Sequence, residues 1–160
     1  MSTVILYSTR HGATKKCAEL LKFKIFGSEI VDIKEQPGFD ISSYDAVILG
    51  GSVQAGMVKR ELKRFCEENR KLLFQKKLGL YICCMYEGEK AQQQIQMNFP
   101  AELCNNAVAV DYFGGIFDFT TLNFFERFIV KMVAGVKESQ FNIKEDRITK
   151  FAEKFVKILN

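Results

Sequence analysis

The residues with the most chemical potential lie in three short polar loops, each directly after an apolar run. The first reads Ser8-Thr9-Arg10-His11-Gly12-Ala13-Thr14 and leads into a helix-length segment. Three hydroxyls, a glycine and the amides of a helix N-terminus form an anion cradle, because the N–H groups point outward and the helix dipole favours negative charge. Arg10 adds positive field, and His11, the one histidine of the chain, puts a titratable imidazole into the same loop. A phosphate monoester fits such a cradle. Neither the G-x-x-x-x-G-K-[ST] pattern nor the Gly-rich dinucleotide fingerprint is present, which disfavours nucleoside triphosphates and nicotinamide dinucleotides. A hydroxyl-rich turn before a helix is also ordinary capping, so the loop has to be read with the other two.

The second loop, Gly50-Gly51-Ser52-Val53-Gln54-Ala55-Gly56-Met57, carries three glycines. Backbone that must approach a flat ligand closely favours glycine, since a Cβ would collide with it. An ordinary strand-to-helix turn has the same composition. The third loop, Cys83-Cys84-Met85-Tyr86-Glu87-Gly88, offers Tyr86 as an aromatic face for stacking, or else as a surface ring covering a sheet edge. Cys83 and Cys84 are read mainly as packing residues that could modulate a nearby redox group.

Four apolar runs must position these loops: Val4–Tyr7, Ala46–Leu49, Leu78–Met85 and Ala107–Phe113, with a weaker fifth at Glu29–Ile33. Continuous rather than alternating apolar runs mark strands covered on both faces, the signature of a parallel sheet. Between them lie segments with the 3.6-residue period. One follows Thr14 as N-cap, buries Cys17, Leu20, Leu21 and Ile25, and ends at Gly27. Another spans about Val58 to Phe74 with Val58, Leu62, Phe65, Cys66 and Leu73 inward, and a last one, from about Lys144, aligns Ile148, Phe151, Ala152, Phe155 and Leu159. Strands alternating with helices give a single α/β domain over 1–160, a doubly wound five-stranded parallel sheet of order 2-1-3-4-5 with helices on both faces. Ligands of such sheets sit beyond the carboxyl ends of the strands, where the three polar loops fall.

Composition narrows the classes further. The chain has 160 residues, 48% of them apolar and 26% charged, with 23 basic and 19 acidic side chains and a net charge of +4. Its cations are scattered among acidic neighbours, as in Lys59-Arg60-Glu61, so nucleic acid is not an expected partner. Five cysteines without a C-x-x-C pair are expected as reduced thiols, not a disulfide framework or zinc site. No run reaches the roughly 18 to 20 apolar residues of a membrane span, and the first residues do not read as a signal peptide, so a cytoplasmic location is expected. A receiver domain would share the strand order, but it needs an acidic pair, a phospho-accepting Asp and a Lys where Ser8-Thr9, Gly50-Gly51 and Gly114-Gly115 stand.

The first loop resembles the phosphate loop of flavodoxins, and the likeness extends to the later loops. That resemblance implies FMN as cofactor and electron transfer as function. It assigns the phosphate to Ser8, Thr9, Arg10, His11, Gly12, Ala13 and Thr14, and the ring to Ser52, Val53, Gln54, Ala55 and Gly56 on one side and Met85, Tyr86 and Gly88 on the other. Leu6-Tyr7-Ser8-Thr9-Arg10-x-Gly12-x-Thr14 and Phe124–Met132 further resemble the subgroup containing the menaquinone-dependent protoporphyrinogen oxidases, although Gly114–Thr121 lacks the arginines expected of that subgroup.

Three readings follow. The first is a soluble FMN electron carrier with a redox partner protein or a quinone. The second is a flavin-dependent oxidase using a quinone, with Phe117, Phe119 and Asn123 on its substrate surface. The third is a non-redox module of the same fold. The segment 122–136, with Asn123, Arg127 and Lys131 on one polar stripe, is a candidate for peripheral membrane contact, or else a core helix with a solvated edge.

Overall fold

The computed structural model describes residues 1–117, 127–128, 131–132 and 140–160. Five parallel strands, β1 (Thr3–Ser8), β2 (Glu29–Asp32), β3 (Ala46–Ser52), β4 (Lys77–Cys83) and β5 (Ala109–Tyr112), pair in the order β2-β1-β3-β4-β5, as the apolar runs predict. The central strands β1, β3 and β4 are buried almost end to end, whereas β2 is an edge strand with one buried residue, Val31.

Alternate side chains of the sheet feed two separate cores. Val4, Leu6, Val47, Leu49, Leu80 and Ile82 pack on one face against α2 (Arg60–Glu68), α3 (Arg70–Gln75), α4 (Gly88–Asn98) and α5 (Ala101–Asn106). Ile5, Tyr7, Ile48 and Tyr81 pack on the other against α1 (Ala13–Lys24) and α6 (Glu145–Leu159). Each large apolar side chain taken fully out of water stabilises the fold by about 1.5–3 kcal/mol, so two filled faces hold the strand ends rigidly.

Four local features depart from the sequence expectations. Helix α1 begins at Ala13 with Gly12, at φ 90°, as its N-cap, so Thr14 lies inside the first turn and is not the cap. The helix expected over 58–74 is two helices, broken at Asn69, whose side-chain amide and backbone N–H both donate to the Phe65 carbonyl. That local bonding competes with helix continuation. A further pair, β6 (Gly114–Phe117) and β7 (Gln140–Ile143), forms an antiparallel ribbon where a loop is expected after the fifth strand. Finally, Gly50 and Gly51 belong to β3 and are buried. A Cβ at Gly50 would overlap the Tyr81 ring, and one at Gly51 would fall 2.5 Å from Leu62 Cδ2, so core packing, not ligand approach, demands these glycines.

Candidate functional site

The parallel register brings the three loops to one edge of the sheet: Ser8 lies beside Gly51, Gly51 beside Ile82, and Ser52 beside Cys83. They leave the carboxyl ends of β1, β3 and β4, next to the β1–β3 boundary where the chain's winding reverses.

The first loop is built around the start of α1. Gly12 donates its N–H to Thr9 Oγ1 at 3.0 Å, and a Cβ at Gly12 would project into open space. No side chain caps the helix and its first turn holds no acidic residue, so the amides from Ala13 to Lys15 are left for an external acceptor. Thr14 is fully buried, its Oγ1 has no partner of hydrogen-bonding geometry, and it lies close enough to the Cys83 thiol to act on it. Tyr81, fully buried between the strands and α1, donates its hydroxyl to the Thr14 carbonyl at 3.0 Å and fixes the turn from below.

Charge around this turn is mostly positive. Arg10, Lys15 and Lys16 are exposed. Burial, followed by the charges of Arg10 and Lys59, lowers the His11 pKa below its ordinary 6.5. Ser8 is buried, and its hydroxyl donates to Glu61 Oε1 at 3.0 Å. Glu61 also lies 3.6 Å from Lys59 Nζ. Burial would raise the Glu61 carboxyl, but the hydrogen bonds from its own amide and Ser8, together with Lys59, hold it below the usual carboxylate value.

The second loop is a tight two-residue turn. Gln54 and Met57 exchange backbone hydrogen bonds of 2.9 and 3.0 Å, with Ala55 at φ 49° and Gly56 at φ 78° between them. Both central residues are left-handed, the requirement of a type I′ turn, which glycine meets without strain and alanine does not. The Val53 N–H donates to the Cys83 carbonyl at 2.9 Å and ties this loop to β4.

In the third loop Met85 and Tyr86 are half-buried, and Tyr86 packs its ring on the core with Lys90 Nζ 5.7 Å from the centroid. Gly88, at φ 58°, donates its N–H to the Tyr112 hydroxyl at 3.1 Å. The Arg147 guanidinium stacks 3.9 Å over the Tyr112 ring and pairs with Asp111. Cys83 and Cys84 are buried. The Cys83 thiol is pushed up by its contact with Cys17, 3.6 Å away, and by burial, and burial raises Cys84 to about 11, so both stand as neutral thiols.

Loop placement is thus as the sequence implies, but four supports escape a sequence reading: Tyr81, Asn98, Tyr112 and the Lys59–Glu61 pair. Met97-Asn98-Phe99-Pro100 carries no motif that marks Asn98. Phe119 and Asn123 lie outside the described residues, as does most of 122–136. Its described members Arg127, Phe128, Lys131 and Met132 are helical and exposed. Among the described residues no group of His, Cys, Asp and Glu is arranged to hold a metal ion.

A 2-1-3-4-5 parallel sheet with an uncapped helix N-terminus after β1 and two flanking loops defines a flavodoxin-like α/β protein. The flavodoxin-domain family model matches residues 4–144, and the chain belongs to that family. Among solved structures it is similar to oxidised flavodoxin 1 from Bacillus cereus, at 18% identity and TM-score 0.61 over the whole of both chains. It is similar also to two-electron reduced flavodoxin from Megasphaera elsdenii, at 14% identity and TM-score 0.58 over 94% of this chain and 98% of that one. A flavoprotein from Lactobacillus acidophilus in complex with FMN matches 69% of this chain and 92% of its own, at 16% identity and TM-score 0.50. No curated protein matches the chain.

Proposed function

We propose that this chain is a single-domain FMN protein that transfers electrons to a redox partner. The observation that carries the reading is the uncapped N-terminus of α1, with no acidic residue in its first turn, placed at the β1–β3 switch point of a flavodoxin-family domain. These groups suit a phosphate. The amides of Ala13, Thr14 and Lys15 and the hydroxyl of Thr14 would hold it, Arg10 and Lys59 would supply counter-charge, and His11 would add a ring N–H donor. The turns Ser52–Gly56 and Met85–Gly88 would flank the ring. FMN brings the redox chemistry. The protein's share is to bind, orient and shield it, and to set the hydrogen bonds and charge around it.

Titration of purified protein with FMN and with riboflavin tests this. Quenching of flavin fluorescence and a yellow complex are expected, with FMN bound at least tenfold more tightly than riboflavin, the equivalent of about one charge-assisted hydrogen bond to phosphate. Colourless protein that leaves FMN fluorescence unchanged overturns the reading.

A second reading makes the acceptor a quinone at a membrane surface, as in the protoporphyrinogen oxidase type. What favours it is that Arg127, Phe128, Lys131 and Met132 put two cations and two apolar side chains on exposed helix, with Phe128 55% and Met132 71% exposed. The comparisons support the carrier and lend the oxidase no support. Anaerobic turnover of protoporphyrinogen with a menaquinone analogue separates the two. Among the described residues no helix is long and apolar enough to cross a membrane, and a cytoplasmic location is part of the proposal.

A further inference from the structure

Phe23, 88% exposed in the last turn of α1, and Phe26, 102% exposed just beyond it, are the two most exposed large apolar side chains among the described residues. They stand among cations in the run Lys22-Phe23-Lys24-Ile25-Phe26, of which only Ile25 is buried. The chain leaves the carboxyl end of β1, runs back along α1 and enters β2 at Glu29, so this run lies at the amino edge of the sheet, opposite the three loops. Lys24 shares a surface cleft with Val156 and Lys157 of α6, which brings the last turn of that helix to the same edge. There Ile158 is exposed as well, and Lys154 stands one turn before it.

Lysines at the end of α1 suit the negative end of its dipole, and one exposed apolar side chain is ordinary. Neither accounts for two aromatic rings held in water between cations. The rings call for an apolar occupant and the lysines for an anionic one. In the last turn of α1 and the last two turns of α6, Lys22, Lys24, Lys154 and Lys157 stand against one carboxylate, Glu153, and among the described residues none of the four forms an ion pair. A second copy of the chain would bring the same lysines and be repelled. The two rings together offer roughly 300–500 Å² of surface, short of the about 800 Å² that each partner gives to a stable protein interface. A bilayer surface asks for less, because rings dip into the boundary between headgroups and acyl chains while lysine stems keep their ammonium groups at anionic headgroups.

We propose that the exposed end of α1, Lys22 to Phe26, with Lys154 and Lys157 of α6, is a docking site for an anionic lipid bilayer surface. It shares no residue with the segment 122–136 and does not depend on the FMN reading. Docked by its amino edge, the sheet holds the three loops away from the lipid and open to a partner from solution.

Co-sedimentation of the full chain with vesicles of phosphatidylglycerol and phosphatidylcholine, against vesicles of phosphatidylcholine alone, tests this. Binding is expected to the anionic vesicles alone, weakening at least tenfold as salt rises from about 0.01 to 0.15 M. Phe23→Ser combined with Phe26→Ser keeps every charge and should lower the affinity at least tenfold. Lys22→Gln combined with Lys24→Gln should lower it roughly twentyfold, about fivefold for each cation near the surface. All four side chains are exposed, so Tm should stay at its wild-type value. The chain contains no tryptophan, so Phe26→Trp supplies a single emitter, whose spectrum should move to shorter wavelength on anionic vesicles and be quenched by lipids brominated in the acyl chain.

F23S/F26S protein that binds as tightly as wild type would reduce the effect to diffuse charge. Loss of binding in R127E/K131E with none in F23S/F26S would place the contact on the segment 122–136. A concentration-dependent dimer that F23S/F26S abolishes, without vesicle binding, would give the rings to a second copy. Each of these overturns the proposal, as does wild-type protein that binds no vesicles or F26W emission that vesicles leave unchanged.

Discussion

His11 is held in a field of its own sign. Burial first, then Arg10 and Lys59, depress its pKa below 6.5. As pH falls through 6.5 the unfolded chain takes up the proton before the folded one. Stability contributed at this position is therefore present above that value and is lost as pH falls toward the folded pKa. His11→Gln should remove that loss, so that its Tm between about pH 7.5 and 5.5 declines less steeply than that of the wild type. Bound FMN should flatten the wild-type profile as well, because a phosphate beside the imidazole favours the imidazolium. Equal slopes for wild type and H11Q would place the imidazole outside the cradle's field. At this scale the sequence was partly legible. Gly12, Thr14 and the hydroxyl-rich spacing are visible in a seven-residue window, whereas the bond from the Ser8 hydroxyl to Glu61, 53 residues away, is not.

Strands and helices show why some glycines mislead. Gly50 and Gly51 sit next to a candidate binding loop and invite a ligand-approach reading, yet both are interior positions of β3. At Gly50 the missing side chain leaves room for the Tyr81 ring, which packs 4.8 Å from Phe113 and reaches the Thr14 carbonyl. Gly50→Ala must displace that ring, an overpacking cost of about 1–3 kcal/mol, and it also loosens the first turn of α1. Thermal unfolding should show the loss of stability, and FMN titration a weaker Kd. A stable G50A protein with wild-type affinity would mean that Tyr81 does not support the cradle. The same contrast sorts what was readable among the elements. Runs such as Val4–Tyr7 and Ala46–Leu49 declare buried parallel strands by themselves. The β6–β7 ribbon does not, since Gly115 pairs with Asn142 and neither segment alternates cleanly. The break at Asn69 depends on a side chain folding back on the Phe65 carbonyl, a choice no periodicity records.

At the scale of the molecule, the charge of +4 is the property least like a carrier that docks on basic partners. Much of the surface around the three loops is cationic: Arg10, Lys15, Lys16 and Lys90 are exposed, while Glu87 is paired with Lys144 and Glu61 with Lys59. Such a face attracts anions over distances set by ionic strength, since the Debye length is about 30 Å at 0.01 M salt and about 8 Å at 0.15 M. Reduced, FMN-loaded protein should therefore pass electrons to an anionic oxidant such as ferricyanide faster than to a cationic cobalt complex of matched driving force at low salt. The ferricyanide rate should drop about three- to tenfold over that range of salt, and the rate with the cation should rise. Lys16→Glu should reduce both slopes without weakening FMN binding, because Lys16 is exposed in the first turn of α1 and its side chain is no part of the proposed phosphate site. Stopped-flow oxidation at several salt concentrations measures all of these. Rates independent of salt and of oxidant charge would show that the basic side chains lie too far from the ring to steer a partner, and the search for an acidic physiological partner would lose its electrostatic basis.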